Sequence, residues 1–499
     1  MNLASAISHH AAMRPDHPAL IEGERTFSYA ALDREVDATA QRLVAAGIGA
    51  GDRVGICLKE RSEFLIALFA VARIWAVIVP VDWRAPEPER RRIVDTLGLK
   101  SLICEPGNTG SLGCAIDWPS LRALAPRTPV QNGGPANGGD APFLIALSSG
   151  STGRPKGLVV SHHGQLMRNV RLHIDLRHGP HTRYMQCTPL VHASGRNKCI
   201  SCLINGNTVI IQPPLFRADE LVEAAARYRA TDLYVVPTTL RSLLQLDYRG
   251  APLFSTLDHL VVGSAPVSVD ERAAALRQLT PNISLSYGAS GYSTIALLHL
   301  ADKRTPQGSV GRPTFLTEVE IADDDHRPLA RDAEGRVRIR GPGIASEIIG
   351  GGTGAEETEY LRDGWYYTGD VGRVPNDGYI YLTGRVANRI RRGGASIAAE
   401  EVERVLCEHP AVAEAAVLGR PSRDLGQDVI AFVIPRAAVD HRELERHCRQ
   451  HLTRAKVPSE FHIVTSFPRS ALGKIMRRAL LETVVPREAL AGNTLDEYR

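Results

Sequence analysis

The chain has 499 residues, 43% of them hydrophobic and 23% charged, and a formal net charge of +4. That length suits two to four domains and a large buried core, in the composition range of soluble globular proteins. So small a charge excess, spread over the chain, gives no argument for a nucleic-acid or membrane-lipid surface, and the eight scattered cysteines read as reduced thiols.

The opening residues show no charged-then-apolar leader, because His9, His10, Arg14 and Asp16 interrupt it, so a cytoplasmic location is expected. Leu32, Val36, Ala40 and Leu43 share one face of a helix predicted over 29–46, with Gly47 where it should stop. A strand is expected over 53–58. The apolar run 64–81 carries Arg73 and Pro80, which disfavours a membrane span, and a helix leading into a buried strand at 76–79 fits it better. The segment 127–141 is rich in Pro, Gly and Asn and reads as an exposed connection. Helix-then-strand pairs recur at 221–228 and 233–236, and at 269–279 and 283–286, which predicts helices packed on largely parallel sheets. Cys199 and Cys202 read as core residues one helical turn apart, and no metal ligand is assigned.

After the apolar run 142–147 comes SSGSTGRPKG. Gly150, Gly153 and Gly157 permit unusual dihedrals and close backbone approach to a ligand. Ser148, Ser149, Ser151 and Thr152 offer hydroxyls, and Arg154 and Lys156 add positive charge. The usual nucleotide-loop pattern fails, since Pro155 stands five residues after Gly150. On these residues alone a phosphate cradle and a turn-rich surface loop both stay open. Beyond 316, short runs such as EVEIADD, GRVRIRG and GYIYLTG read as hairpins. From 397 a helix (399–406), strands (411–418 and 429–434) and a helix (441–452) suggest a separate small α+β unit, with a boundary near Gly384.

Eight motifs then follow in a fixed order: SSGSTGRPKG, PLVHASG (189–195), GSAPVS (263–268), SYGAS (286–290), GSVGRP (308–313), DGWYYTGD (363–370), GRVANRIRRGGASIAAEEVE (384–403) and PRSALGKIMR (468–477). In them the chain resembles the adenylate-forming (ANL) superfamily of acyl-CoA synthetases, adenylation domains and luciferases, over essentially its whole length. The resemblance implies an α/β fold: a large N-terminal domain, 1–384, of helices on mixed, mostly parallel sheets with a β-rich subdomain, and a small mobile C-terminal α+β domain, 385–499. It implies ATP, Mg²⁺ and CoA as cofactors, and a two-step reaction. A carboxylate attacks the α-phosphate of ATP and expels pyrophosphate; a thiol then displaces AMP.

The resemblance also distributes roles. Ser148, Ser149, Gly150, Ser151, Thr152, Gly153 and Lys156 would hold the β- and γ-phosphates, where catalysis is chiefly positioning and charge neutralisation. Tyr287 and Gly288, with Gly263, Ser264 and Ala265, would bind adenine, and Ser290 phosphate. Asp370 would accept from the ribose hydroxyls, and Arg385 would make a second ribose or phosphate contact. Lys474 would reach the α-phosphate and carboxylate oxygens, His192 would gate the acyl pocket, and Gly394 would leave room for the pantetheine arm. For His192 a structural histidine, and for Gly394 a plain turn glycine, are the competing readings.

Two positions depart from the pattern. Gly291 and Ala387 stand where the family usually has the magnesium-ligating glutamate and a charged hinge residue. The expected activity is acyl-CoA ligation. Loading of a carrier protein's phosphopantetheine, for which no carrier domain follows residue 499, and nucleotide binding without catalysis are the alternatives. "WR" at Trp83 and "KVPSEFHIV" lean toward the acyl-CoA group. Arg196, Asn197 and Lys198 either greet a polar or dicarboxylic acid or face water, with water preferred. No nucleic acid or membrane partner is expected; a homodimer is.

Overall fold

Ser28 opens the first long helix, Tyr29–Ala45, by accepting from the Ala31 N–H at 3.3 Å. Leu32, Val36, Ala40 and Leu43 are buried along it, as their spacing predicts. It stops where Gly47 takes φ +81°, with the Gly47 and Ile48 N–H groups donating back to Val44 and Leu43 carbonyls at 3.0 Å. The computed structural model describes residues 1–126, 135, 138–148, 156–213, 215–247, 250–302, 304–350, 360–422, 424–469 and 475–484. These belong to two units, Met1–Glu318 with Ile339–Tyr366, and Val319–Arg338 with Tyr367–Arg499.

The first unit holds a nine-stranded and a seven-stranded sheet. In the larger, the strands Ile283–Ala289, His259–Gly263, Asp232–Val235, Arg183–Gln186, Thr208–Ile211 and Pro18–Glu22 run parallel, as the alternating pattern predicts. Their carboxyl ends place 187–192, 264–265 and 290–291 along one rim, where open parallel sheets bind ligands. In the smaller sheet, Arg53–Cys57, Val77–Pro80 and Pro142–Ser148 lie parallel and buried, while Lys156–Ser161 returns antiparallel beside Pro142–Ser148. The run 64–81 resolves into helix Ser62–Arg73 and strand Val77–Pro80. The helix is buried nearly all round, which explains why it lacks a polar face. Of the expected connection 127–141, the described part holds a short turn at Gly138–Asp140.

In the second unit, strand Gly426–Pro435 is apolar on both faces. Val429, Ala431 and Val433 join a core with Val402, Leu406 and Leu444, while Ile430 and Phe432 join another with Phe467, Leu480 and Leu481. Period-two geometry divides one hydrophobic run between two cores. The helices Ala399–Cys407 and His441–His451 and the strand Val412–Ser422 match the expected order, the strand reaching four residues further. All eight cysteines are free. No described helix is long and apolar enough to cross a membrane.

His162 carries a pH prediction. It is 1% exposed, and its Nδ1 accepts from the Leu3 N–H at 3.1 Å. Burial lowers its pKa to about 4. A folded pKa below the unfolded value means stability that is complete above about pH 6.5 and lost as pH falls toward 4. The loss should reach about 2 kcal/mol by pH 5. Urea unfolding at pH 7 and 5 should show it, with a smaller difference in His162→Gln; equal pH dependence in both proteins would rule it out.

Candidate active site

Strand pairing brings Ser148 opposite Lys156, so the chain leaves and re-enters the sheet at adjacent points around 149–155. The readings made for Ser149, Gly150, Ser151, Thr152, Gly153 and Arg154 lie outside the described residues, as does the side chain of Ser148. Lys156 is 7% exposed, its ammonium 5.2 Å from the Tyr360 ring centre. Gly157 requires a correction. It sits in the strand, where a Cβ would lie 2.4 Å from Ile145 Cγ2 and 3.0 Å from Ile349 Cγ1, so sheet packing rather than ligand approach demands glycine there.

Along the rim of the larger sheet, Gly263 ends its strand and Ser264 follows at φ +80°, an uncommon conformation for a residue with a side chain. The Tyr234 hydroxyl lies 3.0 Å from Ser264 Oγ and fills the space above Gly263, 2.6 Å from where a Cβ would stand. Tyr287 lies half-buried on the next strand, at a bulge with Gly288, where a Cβ would be 2.3 Å from the Ser293 carbonyl oxygen. These glycines are thus explained by protein packing.

Ser290 and Gly291 form the turn after that strand. The Gly291 carbonyl accepts from the buried Arg168 Nη2 and from the Ala345 N–H, both at 2.7 Å. A Cβ on Gly291 would lie 2.4 Å from Tyr366 Cε2 and 2.5 Å from Cζ. Tyr366, 5% exposed, therefore occupies the room a side chain at 291 would need. Among the described residues no group of three or more His, Cys, Asp or Glu could hold a metal ion.

His192 caps the helix Ala193–Ile204 with extended dihedrals. Arg196 fixes the turn before it, donating from Nη1 to the Leu190 and Val191 carbonyls at 3.1 and 2.5 Å. Arg196, Asn197 and Lys198 are 1%, 3% and 7% exposed, so the preferred expectation that they face water is wrong. Ten of the helix's twelve residues are buried, so these three side chains lie within the fold rather than on its outer surface.

In the second unit, Gly369 at φ +76° turns the chain so that Asp370 lies opposite Arg385 on the neighbouring strand. Arg385 Nε is 3.0 Å from Asp370 Oδ1, and its Nη2 donates to the Thr368 carbonyl at 3.3 Å. Asp370's side chain is 13% exposed and Arg385's 49%, so a largely enclosed carboxylate sits beneath a solvated guanidinium. Ala387 lies exposed in the short turn Val386–Asn388. Gly393 and Gly394, at φ +55° and +84°, form a two-residue hairpin turn, and a Cβ on Gly394 would touch nothing within 4 Å. Lys474 lies outside the described residues; Arg469 and Ile475 flank it in an antiparallel bridge.

An AMP-binding enzyme family model matches residues 7–348, and the model of the AMP-binding enzyme C-terminal domain matches 401–474. The chain belongs to the AMP-binding enzyme family. Its enzyme class is therefore that of ATP-dependent, AMP-forming ligases, within the adenylate-forming superfamily. The chain is 30% identical to an indoleacetate–CoA ligase of Aromatoleum aromaticum over 96% of its own length and 97% of the relative's. It is 30% identical, over 96% and 95%, to a fatty acid–[acyl-carrier-protein] ligase of Streptomyces coeruleorubidus. The structure of o-succinylbenzoate CoA synthetase from Bacillus subtilis with its acyl-adenylate intermediate is similar at a TM-score of 0.85 and 26% identity, covering 95% of this chain and 97% of that one.

Sequence reasoning missed Tyr234, Arg168 and Tyr366. Tyr234 reads as one more apolar strand residue in DLYVV, and nothing local marks Arg168 as a buried clamp on residue 291. The glycine at 291 was the available signal for Tyr366, since a close-packed interior leaves no room beside a residue without a side chain unless a neighbour fills it.

Proposed function

We propose that this AMP-binding enzyme is an acyl-CoA ligase. A substrate carboxylate oxygen bonds to the α-phosphorus of ATP as the α–β bridging bond breaks and pyrophosphate leaves. The CoA sulfur, as thiolate, then attacks the adenylate carbonyl and AMP departs with the bonding pair. The observation that carries the reading is Asp370: a left-handed glycine and an arginine at 3.0 Å orient a carboxylate that matches the family's ribose acceptor.

The other assignments rest on motif position. Ser148, Ser149, Gly150, Ser151, Thr152, Gly153 and Lys156 bind phosphates, Tyr287 and Gly263 to Ala265 bind adenine, and Ser290 keeps a phosphate hydroxyl. Lys474 serves the adenylation step, His192 gates the acyl group, and Gly394 borders the pantetheine path. A division at 384/385 with Ala387 as pivot serves the alternation between steps. Magnesium enters with the nucleotide's own oxygens and waters rather than on residue 291.

Pyrophosphate exchange into ATP, with Mg-ATP and a panel of aryl, short, long and dicarboxylic acids, tests the reading. Exchange with some acid is expected without thiol, and AMP release is expected on adding CoA. No exchange with any acid would leave only a nucleotide binder. The carrier-protein ligase among the relatives supports a second acceptor, so a phosphopantetheinylated carrier protein forms a parallel arm.

A further inference from the structure

Four cationic side chains are buried on two neighbouring helices of the first unit, His162–Asp175 and Ala193–Ile204. Arg168, Arg171, Arg196 and Lys198 are each 7% exposed or less, and none is ion-paired with a carboxylate among the described residues. Buried charge is costly unless oxygen acceptors surround it.

The three guanidiniums have such acceptors. Arg168 donates to the carbonyls of Gly343 and Gly291 at 2.6 and 2.7 Å. Arg171 donates to the Phe315 and Thr294 carbonyls and to the Thr314 and Thr317 hydroxyls at 2.7–2.9 Å. Arg196 holds the carbonyls before His192. Lys198 differs. Its ammonium lies 4.4 Å from the Tyr234 ring centre and donates to no described oxygen. A ring face offsets only part of the lost hydration. The carboxylate acting on it, Asp232, is already 2.9 Å from His178 Nε2 and bonded by the Thr231 hydroxyl at 2.6 Å.

Position ties this ammonium to the candidate site. Lys198 stands one turn beyond Ser194 on the helix that His192 caps, and the ring it faces, Tyr234, carries its hydroxyl 3.0 Å from Ser264 Oγ. Lysine, ring and serine thus form a line from the helix to the loop after Gly263. Resting on the ligase reading, we propose that Lys198 receives a second anionic group of the acid, so that the enzyme selects dicarboxylic acids over monocarboxylic acids of the same length. Burial pushes the Lys198 ammonium down to about 8, a charge that an incoming carboxylate would stabilise.

The test is a kcat/KM comparison by pyrophosphate exchange of succinate, glutarate, adipate and suberate with butyrate, pentanoate, hexanoate and octanoate. The best dicarboxylate should exceed its matched monocarboxylate by about 10-fold or more in the wild type. In Lys198→Met that ratio should fall by about 10- to 100-fold, with Lys198→Arg retaining part of it. A wild type without dicarboxylate preference overturns the proposal whether or not the variant folds, as does an unchanged ratio in a folded Lys198→Met; in both cases exchange itself leaves the ligase reading intact. Exchange with no acid at all removes both.

Discussion

Lys474→Ala is expected to lower acid-dependent pyrophosphate exchange by about 10²- to 10³-fold, the usual effect of deleting one preorganised charge aimed at the reacting group. Transfer of the acyl group from synthetic acyl-adenylate to CoA should stay within about threefold of wild type, because the α-phosphate has by then already been attacked. The asymmetry follows from the assigned role: a compact ammonium helps where negative charge gathers around phosphorus, and thiolysis builds its charge on carbon-bound oxygen. Lys474→Arg should not restore exchange, since a planar fork cannot replace a point charge in the same space. Equal loss of both half-reactions would refute the role.

Gly291→Glu, which restores the residue the family usually carries, is expected to destabilise the protein rather than improve metal use. Its Cβ would fall 2.4 Å from Tyr366 Cε2, and the obstacle is a buried ring that has no flexible end to swing aside. Even Gly291→Ala should cost about 3 kcal/mol, at the upper end for overpacking. Urea unfolding measures this directly. Adding Tyr366→Ala to either variant should recover part of the loss, because the two substitutions share one volume and are therefore non-additive. A Gly291→Ala protein as stable as wild type would show that the ring does not fill this space.

That pair marks the limit of single-sequence reading. The departure at Gly291 is visible in SYGASGY, and the glycine's inability to ligate follows from its chemistry. What fills the space beside Gly291 is 75 residues away in the chain, and only the fold brings Tyr366 onto Gly291. Gly157, Gly263 and Gly288 follow the same rule. A missing side chain is legible, but the atom that excludes it is Ile145 Cγ2, the Tyr234 hydroxyl or the Ser293 carbonyl, none of which is a ligand.

By itself the amino-acid order determined the alternation of helices and parallel strands, the stop of the first long helix at Gly47, the strand at 429–434 and the family motifs, because local periodicity and turn chemistry act over a few residues. The tertiary structure alone decided the fate of Arg196, Asn197 and Lys198. A run of two cations and an amide normally faces water, and their helix gives no local sign of being enclosed. Burial depends on what packs against every face of a helix, and that sum over distant segments is absent from any window of sequence.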